Sequence, residues 1–163
     1  MSHTFAGGRA VEARYAPLLD DWLRSHGYDL RPASRDEEWR GIDRVVTAEN
    51  GEPCHVEYKV DEVAKRTGRL FIETVSNDTS GRAGWAYTTE ARWLFYLVVG
   101  ERLYCIRPER MRALLPVWLD RYPLRRANNG DFGTIGVCVP FAAAEAAAEQ
   151  VVRFAALEQR CPP

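Results

Sequence analysis

The segment IDRVVTAENGEPCHVEYKVD, residues 42–61, holds two runs of alternating side chains around a stretch containing Asn, Gly and Pro. Successive side chains of a β-strand point to opposite faces, so the runs read as two strands of a hairpin. In 54–60 the apolar set is Cys54, Val56, Tyr58 and Val60; the polar set is His55, Glu57 and Lys59, followed by Asp61. In 42–48, Ile42, Val46 and Ala48 match the buried set, which leaves Asp43, Val45 and Thr47 facing outward. The turn then decides which polar groups meet. A two-residue Asn50-Gly51 turn would pair Asp43 with Tyr58 and bury the aspartate. A loop over 49–53 pairs Ala48 with Cys54 and Asp43 with Lys59, keeps Pro53 out of the ladder, and gathers Asp43, Glu57 and Lys59 on one face. The longer loop is the expectation.

Two nearby carboxylates repel, and stay ionised cheaply only with a cation between them. Mg²⁺ favours one or two carboxylates plus waters and substrate phosphate oxygens, and acidifies a water that can attack phosphorus. A lysine alongside can orient that water and offset charge on the phosphoryl oxygens. Lysine is conspicuous here: twenty of the 22 basic residues are Arg, and only Lys59 and Lys65 are not.

The remainder of the chain bounds the fold. At 163 residues, 46% hydrophobic and 28% charged, it is expected to be a single packed domain over 1–163, with a core over about 8–122 and a C-terminal strand and helix over 133–158. Val11, Tyr15, Leu18, Leu19 and Trp22 recur at helical spacing before Gly27, with Pro17 either kinking that helix or starting a second one. Strands are expected at 28–33, 42–48, 54–60, 69–75, 93–99 and 102–106, and a short helix near 84–91. PERMRALLPVWLDRY reads as a helix starting near Pro108, TIGVCVP as a strand, and the Ala-rich FAAAEAAAEQVVRFAALEQ as a helix. The fold class is therefore α/β, a mixed sheet with helices packed on it.

The net charge of −1 gives no global field toward nucleic acid, so such binding requires local arginines. Cys54, Cys105, Cys138 and Cys161 are scattered, and His3, His26 and His55 show no zinc-like spacing. No apolar run reaches the roughly 18 residues of a membrane span, and the N-terminus lacks a signal-peptide core; a cytoplasmic protein with no membrane partner is expected.

Asp43 opening one strand, Glu57-Tyr58-Lys59 on the next, and Glu12 on a preceding helix resemble the PD-(D/E)xK nuclease superfamily. GGRAVEARYAPLLDDWLRSHGYDL, then RGIDRVV and HVEYKVD, looks most like its Holliday junction resolvase-like branch, with Ile42 where a proline often stands. The resemblance implies a restriction-endonuclease-like fold and a Mg²⁺-dependent DNA endonuclease, with Mn²⁺ able to substitute. Asp43 and Glu57 would hold the ion with the Tyr58 carbonyl, Lys59 would assist the attacking water, and Glu12 would sit at the edge of the site. Cutting both strands with one centre per chain would call for a homodimer.

Glu73, in RLFIETVSN, is a candidate additional acid or a plain edge-strand glutamate. Lys65, Arg66, Arg69 and Arg82 are candidates for gripping DNA phosphates, Trp85 and Tyr87 for stacking on an unpaired base, and the Arg-rich RYPLRRANNGDFG for a second patch. Two alternatives stay open: a non-catalytic nucleic-acid-binding or assembly protein keeping the nuclease fold, and an RNA-directed hydrolase.

Overall fold

The computed structural model describes residues 5–159; His3 and Cys161 lie outside them. The chain opens with α1 (Phe5–Ser25), a continuous helix that runs through Pro17. Pro17 is exposed, so the carbonyl it leaves without an N–H faces water. The helix stops at Gly27, which takes a left-handed φ of 81°.

Next come β1 (Tyr28–Pro32), α2 (Arg35–Trp39), β2 (Arg44–Ala48) and β3 (Cys54–Asp61). The short helix α2 starts at a capping box, with the Ser34 and Glu37 side chains reciprocally bonding each other's backbone N–H. That signal, Ser-x-x-Glu, stands in the sequence and could have placed the helix. Downstream lie α3 (Ala64–Thr67), β4 (Arg69–Asn77), β5 (Arg82–Ala83), α4 (Trp85–Thr88), β6 (Trp93–Val98), β7 (Arg102–Ile106) and α5 (Pro108–Arg121). The chain continues through β8 (Leu124–Asn128), β9 (Gly133–Pro140), α6 (Phe141–Ala147), β10 (Ala148–Arg153) and α7 (Phe154–Glu158).

The architecture is α/β. A mixed six-stranded sheet has the order β1-β2-β3-β6-β7-β10, and a second, four-stranded sheet has the order β5-β4-β9-β8. Neighbours are antiparallel except β3 and β6, which run parallel and are joined by the excursion through β4, β5 and α4. One core, with Leu19, Leu23, Val56, Tyr58, Phe95, Leu97 and Leu103, lies where α1 covers the first sheet. The other joins Leu94, Tyr96, Tyr104 and Ile106 to Leu70, Ile72, Val137 and Val139 of the second sheet and to Met111, Leu115 and Trp118 of α5. Among the described residues no helix is long and apolar enough to cross a membrane.

Four expectations need correction. The β2–β3 ladder pairs Val46 with Cys54 and Arg44 with Val56, not Ala48 with Cys54 or Asp43 with Lys59. The strands are offset by two residues because Thr47 and Ala48 extend β2 along Asp29 and Tyr28 of β1. A two-residue slip leaves every side chain on its expected face, so alternation alone could not tell these registers apart. Val45, expected outward, is 4% exposed, since the first sheet is covered on both faces. The Ala-rich tail is not one helix: residues 148–153 form β10 and close the edge of β7, with Val151 opposite Tyr104 and Val152 opposite Leu103. An open sheet edge beside two β-branched residues outweighs helix propensity. Finally, LRRAN in the Arg-rich segment forms strand β8, paired with β9 in a second sheet that the sequence reading did not separate from the first.

Candidate active site

Strand β3 carries two chemistries on its two faces. Tyr58, 2% exposed, points toward α1, where its hydroxyl donates to Asp20 Oδ1 at 2.9 Å. Arg44 closes this group from β2. Its Nε donates to Asp20 Oδ1 at 2.9 Å, its Nη2 to Oδ2 at 3.1 Å, and its Nη1 to the Asp43 carbonyl at 2.8 Å. Asp20, with Tyr58 and Arg44, thus ties α1, β2 and β3 together behind the hairpin. Sequence reasoning missed it. The available signal was an aspartate adjoining Leu19 in the apolar stripe of α1, where a buried charge needs a partner.

Asp43 stands just ahead of β2. Its N–H donates to the Val56 carbonyl at 2.9 Å, and its Oδ2 accepts the Tyr58 N–H at 2.6 Å. The N–H and C=O of one strand residue point the same way. The Tyr58 carbonyl therefore faces the flank of β3 where β2 has ended and Asp43 lies.

On the other face, Lys59 Nζ lies 2.8 Å from Glu57 Oε1 and 3.5 Å from Glu12 Oε1 of α1. Burial alone would lower the Lys59 ammonium, but Glu57, Glu12 and Asp43 together hold it well above the usual lysine value. Glu12 is itself raised, chiefly by burial, against the lowering effect of Lys59. Trp85 lies with its ring centroid 5.8 Å from Lys59 Nζ. Glu73, on β4, accepts the Trp85 N–H at 3.3 Å; burial raises its carboxyl, which also feels Lys59, Glu57 and Glu12. This approach depends on Gly84, where a Cβ would meet the Glu73 carbonyl oxygen at 2.5 Å.

Glu12, Asp43, Glu57, Lys59, Glu73 and Trp85 thus form one electrostatic neighbourhood. The basic candidates sit elsewhere. Lys65 reaches Glu101 at 3.7 Å and the Gly100 carbonyl at 3.4 Å, at the turn between β6 and β7. Arg69 donates to the Cys138 carbonyl at 3.3 Å, and Arg66 and Arg82 are exposed. Tyr87 is 47% exposed.

Among the described residues no group of three His, Cys, Asp or Glu side chains has the spacing of a metal site. One atom nevertheless fits a cation. Among the described residues Glu57 Oε2 is buried without a hydrogen-bond partner, although Oε1 of the same carboxylate is taken by Lys59. A buried carboxylate oxygen with nothing to accept from is costly. A hard divalent ion shared with Asp43 would satisfy it, since both offer carboxylate oxygens and the Tyr58 carbonyl lies on the Asp43 side.

Compared with protein-family models, with curated proteins and with solved structures, the chain finds no match.

Proposed function

We propose that this protein is a Mg²⁺-dependent nuclease of the PD-(D/E)xK type that hydrolyses DNA phosphodiester bonds. The observation that carries the reading is Glu57 Oε2, buried and without a hydrogen-bond partner among the described residues, on the carboxylate whose Oε1 pairs with Lys59. Asp43, Glu57 and the Tyr58 carbonyl would hold the ion. A divalent ion bound there supplies Lewis acidity to a phosphoryl oxygen and a more acidic water. Lys59, ammonium at all ordinary pH values, donates toward the phosphoryl oxygens on which charge grows and orients the attacking water. Glu12 anchors that ammonium from α1. Trp85 lies against Lys59, and Glu73 is within its electrostatic reach. The order of a helix, three antiparallel strands and a further strand parallel to the third supports a restriction-endonuclease-like assignment. Two copies would serve two strands.

A second reading, a non-catalytic nucleic-acid-binding protein, is favoured by one observation: Lys59 is engaged in ion pairs with both Glu57 and Glu12. Nicking of supercoiled plasmid separates the two. Mg²⁺ or Mn²⁺ should drive nicking, and Lys59→Ala should reduce its rate by about 10²–10³-fold. Nicking that survives Lys59→Ala, or none under any divalent ion, rejects the nuclease. Competition by RNA better than by DNA would move the substrate to RNA.

A further inference from the structure

We infer that the outer face of the second sheet is a track for the sugar–phosphate backbone of a nucleic-acid strand, with Arg69 and Arg125 gripping its phosphates. The destination of the track rests on the nuclease reading above; the surface itself follows from the β-ladders. Glu73 pairs with Gly136, and Gly136 with Arg125, so the three residues form a row across β4, β9 and β8 on one face. Phe71 and Arg69 stand two and four residues back along β4 on that same face. The opposite face carries Leu70, Ile72, Val137 and Val139, none more than 1% exposed, and faces the core. The Glu73 face is therefore the outward one: Arg69 and Arg125 are exposed, and Phe71 and Cys138 half-buried.

Two further observations mark it as anion-seeking. Arg69 reaches the Cys138 carbonyl and Arg125 stands opposite Gly136, two residues from Cys138 on β9, so both flank that residue. Burial pushes its thiol up, Arg125 and Arg69 act against the rise and Asp61 adds to it. Their hydrogen bonds go to carbonyls, Arg69 to Cys138 and Arg125 to Leu124, and among the described residues neither forms an ion pair with a carboxylate. Neighbouring Arg126, on the other parity of β8, is neutralised by Asp78. A Cβ on Gly136 would lie 2.6 Å from Phe71 Cζ, so the ring lies over the glycine and offers its face to a sugar or base. From strand geometry Arg125 is about 10 Å and Arg69 about 13 Å from Glu73.

The test is the salt dependence of binding to fluorescein-labelled single-stranded and duplex oligodeoxynucleotides, with the full chain in EDTA so that nothing is cut. Arg69→Ala and Arg125→Ala should each weaken binding several-fold and reduce the slope of log affinity against log salt by about 1. Arg125→Lys should restore the slope, and Arg126→Ala should leave it unchanged. Slopes unaltered in both alanine variants, with wild-type melting temperatures, overturn the track. Plasmid nicking by the same proteins keeps the two proposals apart. Reduced slopes without any nicking uphold the track and reject the nuclease; nicking with unaltered slopes does the reverse.

Discussion

Glu57 and Glu73 illustrate how far single residues could be understood in advance. The parity of Glu57 and Lys59 was legible, because alternation fixes which face a strand residue takes. The burial of Glu57, 3% exposed, was not, because it depends on elements packed on both sides of the sheet. Glu73 was ambiguous for the same reason, since its partner Trp85 N–H arrives from another element through the close approach at Gly84. Its buried carboxyl is raised above the ordinary value of 4.5. Between 4.5 and the raised value the folded state binds more protons than the unfolded one, so stability falls as pH rises through that window. Glu73→Gln, which keeps an acceptor for Trp85, should therefore raise Tm at pH 7, and the gain should vanish below pH 4.5. Melting curves across that range check it; a loss of Tm at pH 7 would mean that the ionised form is stabilising.

At the scale of elements, the strands of the hairpin were legible but their register was not. Hydrophobic alternation has a period of two and cannot distinguish offsets that differ by two residues. What fixes the offset is tertiary: β1 engages the end of β2, and the Asp20–Arg44–Tyr58 group locks β2 and β3 to α1. Arg44→Ala should cost about 3 kcal/mol, because it leaves Asp20 largely buried without its counter-charge. Asp20→Asn combined with Arg44→Met should recover much of that loss in denaturant titrations. A loss near zero in the single variant would show that the ion pair does not hold the hairpin. The tail failed for a related reason. Alanine-rich sequence reports local propensity, whereas β10 forms because β7 offers an edge.

For the whole molecule, alternating strands and amphipathic helices made the α/β class readable. The division into two sheets was not, because the exposed side of β8 reads as an arginine patch. The packing of the second sheet on the first brings Glu73 within electrostatic reach of Lys59. If the ion proposed for Asp43 and Glu57 binds the folded chain, mass action requires it to stabilise the whole protein, by about 2.7 kcal/mol at a hundredfold excess over Kd. Mn²⁺ should therefore raise Tm in the wild type and not in Asp43→Asn, even where no nucleic acid is present. Equal shifts in both proteins would place the ion elsewhere.

The helix that carries Glu12 shares its core with Leu157 of α7, alongside Leu19 and Leu23. Helix α1 therefore lacks part of its seat until α7, far downstream in the chain, has packed against it. If Glu12 serves the site proposed above, that site is complete only once α7 has docked.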